Sequence, residues 1–266
     1  MAPFRLTLEY DGGDFHGWQI QPGVRTVTGA LLDAVQRITG ERPTALTAAG
    51  RTDAGAHAHA QVVGFELTAP WQPRRLRDAL NGVLPPDVAV VDAALADRGF
   101  DARRDALTRT YRYVVVCRDT RSPVLRRHAW HVSGALDLDA IRAAARMLEG
   151  THDFGAFGGP TRPGGGTTRT VHSVTVERGA SPDITAAHRA DVVVIAVEAD
   201  AFLRGMMRAI AGALVAVGRR RQTAAWVDDL LRSGAQRPAM LTIAPAHGLH
   251  QWAVTYPASS EGARAA

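Results

Sequence analysis

The chain has 266 residues, 46% of them hydrophobic and 21% charged, with one cysteine and a formal net charge of +5. This length supports one large or two modest domains with a real core. The single Cys117 excludes an internal disulfide and a cysteine-built zinc site. No apolar run reaches the ~18 residues of a membrane span. The N-terminal MAPFRLTLEYDG goes straight into strand-like alternation, without a leader's apolar stretch, so a cytoplasmic protein with no membrane contact is expected. All 31 residues of the Lys+Arg set are arginine. Base composition of the genome is one source of that bias. Guanidinium forks also bind oxyanions bidentately and stack on bases. Clusters at Arg74-Arg75-Arg77, Arg103-Arg104, Arg109-Arg112, Arg126-Arg127 and Arg219-Arg220-Arg221 point to a polyanionic partner.

In chain order, Phe4, Leu6, Leu8 and Tyr10 alternate with polar residues and predict a half-buried strand ending at Asp11-Gly12-Gly13. A helix from Thr28 carries Leu31, Leu32, Val35 and Ile38 on one face and stops at Gly40. A strand is expected over Gln61–Leu67, a helix from Pro73 to the Pro85-Pro86 pair, and a strand over Val88–Ala94. This order suggests an α/β unit closing near residue 104, so domains 1–104 and 105–257 are expected. The second unit begins with a strand at Thr110–Val116, where Tyr111, Tyr113 and Val115 share a face. Then come a helix at Leu136–Leu148 and a glycine-rich loop at Pro160–Gly166 that lacks the lysine of a phosphate loop. Strands follow at Val171–Arg178 and Ala190–Val197. A long helix at Ala201–Val217 places Arg204 and Arg208 on one side. A short helix at Thr223–Leu231 and a strand at Gln251–Tyr256 complete the unit, and Ala258–Ala266 reads as a disordered tail. The expected class is α+β, built from two similar α/β-type units.

The run Ala49-Gly50-Arg51-Thr52-Asp53-Ala54-Gly55-Ala56-His57-Ala58 sets one carboxylate, one guanidinium and one imidazole among small residues. It reads either as a tight turn with a local Arg51–Asp53 ion pair, or as a catalytic carboxylate kept ionised by a nearby cation. His57-x-His59 could ligate a metal, but no cysteine or acidic cluster lies beside it in sequence, so structural or RNA-contact roles are favoured. Dinucleotide, Walker and nucleophile-elbow motifs are absent, and neither cofactor nor metal is expected.

Six segments in order carry a resemblance to the TruA family of tRNA pseudouridine synthases, across nearly the whole chain. They are Glu9–Gln19, Gly50–Ala58 (with Ala56 where valine is usual), Arg109–Tyr113, Gly150–Phe154, Phe202–Gly212 and Ala244–Leu249. The resemblance implies Asp53 as nucleophile, Arg208 as its paired arginine, Tyr111 against the target uracil and Leu249 lining the same pocket. Arg51, His57 and Arg204 are expected to touch substrate. It also implies mixed or antiparallel sheets that join around a central RNA-binding cleft, with helices on the outer faces, and a homodimer that modifies uridines 38–40 of the tRNA anticodon stem-loop. Gly205 and Ala209 depart from the histidine and asparagine common in the family. An inactive RNA-binding or chaperone protein of the same fold is the alternative, and a metal-dependent hydrolase using His57 and His59 a weaker one.

Overall fold

The computed structural model describes residues 1–43, 45–161, 164–179, 191–234 and 237–257. The expected tail, and parts of the glycine-rich loop and of the Ala190 strand start, lie outside them. The chain divides into two compact units, Met1–Arg109 together with the residues from Gln251, and Thr110–His250. The fold is mixed α/β, with strand pairs of both directions.

In the first unit, β1 (Ala2–Tyr10) lies between β3 (His57–Leu67) and β4 (Val88–Leu95) and is antiparallel to both. The alternation read from sequence is the reason. Phe4, Leu6, Leu8 and Tyr10 all point into one core with Val63, Phe65 and Leu67 of β3. Helices α1 (Val27–Thr39) and α2 (Pro73–Asn81) close that core with Leu31, Val35, Leu76 and Leu80. Each such fully buried side chain contributes about 1.5–3 kcal/mol. Thr26 caps α1 by accepting the Gly29 N–H at 3.3 Å, and Gly40 in the left-handed region ends it. A small core on the other side of the sheet joins Ala49, Val62 and Ala102 with Phe100, Val254 and Tyr256. The two-residue β2 (Thr47–Ala48) pairs antiparallel with β3 just before the candidate motif.

The last strand, β10 (Leu249–Thr255), is the neighbour of β3, although the sequence placed residues 105–257 together. Long-range bonds hold it in the first unit. Gln251 Nε2 donates to Gln61 Oε1 at 3.2 Å, and Thr108 and Thr255 share a hydroxyl bond of 2.7 Å. Tyr256 Oη donates to the Ala102 carbonyl at 2.6 Å.

The second unit orders its strands β5 (Thr108–Cys117), β9 (Val192–Ala199), β8 (Thr168–Arg178) and β7 (Gly150–Asp153), with β6 (Trp130–Val132) parallel to β5. β7, β8 and β9 are antiparallel neighbours. Helices α3 (Leu138–Arg146) and α5 (Ala224–Ser233) accompany α4 (Met206–Gly218). α4 is buried at 11 of its 13 positions, as a helix apolar all round must be. It begins at Met206, not at Ala201. Gly205 adopts φ +75°, a left-handed conformation that interrupts helical geometry, and the Arg204 N–H bonds outward to the Gly159 carbonyl at 3.0 Å. Arg204 is therefore exposed ahead of the helix and does not share a face with Arg208.

Candidate active site

In the first unit, Asp53 sits half-buried in the turn between β2 and β3. The turn is closed by the Ala56 N–H on the Asp53 carbonyl at 3.1 Å. A second loop clamps it from outside. The Trp18 N–H donates to the Thr52 carbonyl at 3.1 Å, and the Gly55 N–H to the Phe15 carbonyl at 3.3 Å. Tyr10 Oη shares a 2.8 Å hydrogen bond with Thr52 Oγ1 from the end of β1. The approach is too close for side chains: a Cβ on Gly12 would lie 1.8 Å from the Ala56 carbonyl oxygen, and one on Gly17 2.8 Å from that of Thr52. The glycines of Asp11-Gly12-Gly13 and His16-Gly17-Trp18 are thus what lets the opening loop hold the aspartate's backbone.

The other residues of the motif divide by exposure. Arg51 is exposed. His57 is 2% exposed, and its Nδ1 accepts the Gly12 N–H at 3.2 Å. Asp11 Oδ1 also approaches that nitrogen, at 3.1 Å. Both contacts tie the ring to the Asp11-Gly12 loop. The buried ring thus links the start of β3 to that loop. His59 is half-buried, with its ring 4.6 Å from that of Trp252 and its Nδ1 3.6 Å from Glu9.

In the second unit, Arg208 and Leu249 flank the 244–249 loop, and Tyr111 lies on β5. Arg208, in the first turn of α4, donates from Nε to the Ala244 carbonyl at 2.7 Å, and the Ala244 N–H returns a bond to the Arg208 carbonyl at 3.1 Å. That anchors the segment running to Leu249, which is buried at the start of β10. Tyr113 holds the same segment from β5: its hydroxyl donates to the Pro245 carbonyl at 2.7 Å, and its ring lies where a Cβ on Gly248 would come within 2.7 Å. Burial drives the Tyr113 hydroxyl far above its ordinary pKa, with the Arg208 charge opposing, so it stays a donor. Tyr111, two residues earlier on the same strand face, is 7% exposed and sets its ring edge-on to Phe202 at 4.7 Å.

Two contributors escaped the sequence reading. Tyr113 was visible as a strand-face aromatic, but its hydrogen bond spans 132 positions. Arg109 was counted among the basic clusters. It is 6% exposed, and its guanidinium donates to the carbonyls of Ala49 at 3.2 Å, Ala106 at 3.0 Å and Arg103. It braces the strand entering the Asp53 turn and is closed to phosphate. Arg74 and Arg104, by contrast, are 87% and 85% exposed and fit the polyanion reading.

Residues 144–257 match the family model described as tRNA pseudouridine synthase. Curated relatives extend the match over nearly the whole chain, and each is described as tRNA pseudouridine synthase A. The Myxococcus xanthus protein is 41% identical over 94% of this chain and 90% of its own length. The Methylorubrum populi protein is 40% identical over 96% and 99%, and that of Frankia casuarinae 43% over 98% and 92%. The chain belongs to the tRNA pseudouridine synthase family and is thereby an isomerase. Among solved structures, the archaeal box H/ACA sRNP Nop10-Cbf5 complex matches at 14% identity over 80% of this chain and 44% of that one, with a TM-score of 0.32. No membrane-length apolar helix occurs among the described residues.

Proposed function

We propose that this protein converts uridine to pseudouridine in the anticodon stem-loop of tRNA, at positions 38–40, with Asp53 as nucleophile and no cofactor. The observation that carries the reading is the identity of about 40% to tRNA pseudouridine synthases over nearly the entire chain. The clamped turn around Asp53 supports the residue assignment. A nucleophile must be held in one geometry to act, and one loop and a tyrosine hold the backbone of this turn.

The reaction is an isomerisation. The Asp53 carboxylate attacks C1′ of the ribose or C6 of the base, and the N1–C1′ bond breaks. The base turns, C5 bonds to C1′, the C5 proton leaves to solvent, and N1 takes up a proton as the carboxylate is released. Nothing is oxidised or reduced. Arg208 is the cation assigned to pair with and orient that carboxylate. Tyr111 and Leu249 receive the flipped uracil, which must leave its stack for the glycosidic bond to be reached. Arg51 and Arg204, both exposed, contact backbone phosphates. The working form is a cytoplasmic homodimer.

The test uses the full chain with tRNA tritiated at uridine C5, with and without chelator. Tritium release is expected to survive chelation, to vanish in Asp53→Asn, and to fall when uridines 38–40 are replaced by cytidine. Binding of tRNA without any release would sink the catalytic reading, and release only with added metal would sink the cofactor-free one. Light scattering at working concentration tests the dimer.

A further inference from the structure

Away from the residues assigned above, the second unit holds a pocket of about 390 Å³ between the end of β5, the 121–131 segment and His247 of the 244–249 loop. That volume is at the small end of the roughly 300–1,000 Å³ found for ligand sites. Its floor is apolar. Val116, Leu125 and Ala129 belong to a buried cluster with Val114, Val192 and Val194. Its mouth is cationic: the exposed Arg121 and Arg126 line it, and no carboxylate does among the described residues.

Two imidazoles complete the lining, and their hydrogen bonds determine what they can offer. His131 Nε2 lies 2.8 Å from the Arg118 carbonyl, so that nitrogen must carry the proton and, in the neutral ring, Nδ1 is an acceptor. His247 also donates to a backbone carbonyl, that of Ala129. Burial, with the charges of Arg208 and His128, holds its pKa below the ordinary histidine value, so at neutral pH its other nitrogen is an acceptor too. The walls are firm. Leu125 N–H bonds Ser122 Oγ at 3.3 Å, Ala129 N–H bonds the Leu125 carbonyl at 2.9 Å, and Arg118 spans to the Arg121 carbonyl at 3.0 Å.

We propose that this pocket is a second nucleotide site for the bound tRNA. An unpaired base lies on the Val116–Leu125–Ala129 floor with an N–H edge toward His131 and His247, and its phosphate sits between Arg121 and Arg126. Each part of the lining selects for this occupant. A free phosphate has no use for an apolar floor, and an acyl chain has none for two guanidiniums and two acceptors. A base stacks on apolar and guanidinium surfaces and carries its charge on the attached phosphate. His247 is two residues from Leu249 and three from Ala244, which Arg208 holds, so the pocket and the uracil-binding residues share one loop. The site would anchor a nucleotide other than the reacting uridine and so help choose which uridine reacts. This inference rests on the reading that the chain binds tRNA.

Two measurements on the full chain test it. Tritium-release kinetics compare wild type with Arg121→Glu, Arg126→Glu and the double variant, all at exposed positions where folding is checked by thermal melting. Each single variant is expected to raise KM for tRNA about tenfold, with the effect on KM exceeding that on kcat. The slope of log affinity against log salt should fall by about 0.7 per lost contact. Ultraviolet cross-linking of 4-thiouridine tRNA, followed by peptide mapping, should label the 122–131 segment in wild type and lose that label in the double variant. Unchanged KM and salt slope with no label in 122–131 would overturn the proposal. Protein that shows the label but no tritium release would refute the catalytic reading while supporting the pocket.

Discussion

Gly12→Ala probes whether the opening loop holds Asp53, the proposed nucleophile. The backbone of Gly12 is not in the left-handed region, so alanine costs nothing in conformation. The cost is steric: its Cβ would meet the Ala56 carbonyl oxygen at 1.8 Å and the Ala56 carbonyl carbon at 2.6 Å. Neither atom is the end of a flexible side chain, and restoring a 3.0 Å contact needs about 1.2 Å of backbone separation. That movement strains the 3.2 Å bond from Gly12 N–H to His57 and pushes on the residue whose N–H closes the Asp53 turn. Overpacking of this kind costs about 3 kcal/mol at the upper end of its range. A displacement of about 1 Å at a catalytic group costs on the order of 100-fold in rate. Urea unfolding and tritium release measure the two effects. Gly23→Ala is the control, since Gly23 has φ +74° and a methyl added there would meet nothing within 4 Å. It should lose about 1–2 kcal/mol from backbone strain and keep its rate. The reasoning fails if Gly12→Ala is as active and stable as wild type, or no worse than Gly23→Ala.

Three further outcomes are expected. Tyr113→Phe removes the 2.7 Å bond to the Pro245 carbonyl and should cost about 1–2 kcal/mol. Faster amide exchange across 244–249 is its signature, and unchanged exchange there would dismiss Tyr113 as the loop's anchor. Burial pushes the Cys117 thiol up to about 11, with Arg178 opposing and Asp191 adding to the rise. Iodoacetamide at neutral pH should therefore modify it at least about 100-fold more slowly than an ordinary thiol until urea unfolds the chain, and rapid native labelling would contradict this. At Asp101, burial works against ionisation, but the N–H groups of Arg104 and Arg103 and the Arg104 guanidinium outweigh it and hold the carboxyl below its ordinary value. Because the folded pKa is the lower one, this stabilisation is complete above the unfolded value near ~3.9 and drains as the pH falls through the folded one. Asp101→Asn should narrow the difference between urea midpoints at pH 6 and pH 3, and an unchanged difference would remove Asp101 from the account.

Local pattern carried much of the fold. The alternation of β1 and β8, the capped and glycine-stopped α1, and the proline-opened α2 follow from side-chain period and cap chemistry within a few residues. β2, β6 and β7, two to four residues long, are too short for alternation to register and exist because a neighbouring strand pairs with them. The start of α4 was misread because Leu203 continues the helical spacing of apolar residues, while the left-handed Gly205 and the Arg204–Gly159 bridge leave no periodic trace.

The sequence by itself determined the family, through six ordered motifs, and singled out Asp53, Tyr111, Arg208 and Leu249. Residue identity and order survive without coordinates. Only the tertiary structure decided which polar residues are spent on holding the backbone. It showed that Arg109 serves three carbonyls and His57 a buried N–H. It also showed that Arg204 lies outside the helix and that β10 returns to β3. The physical reason is common to all four. A side chain's charge is written in the chain, but whether it faces solvent or a carbonyl dozens of residues away depends on which surfaces the fold brings together.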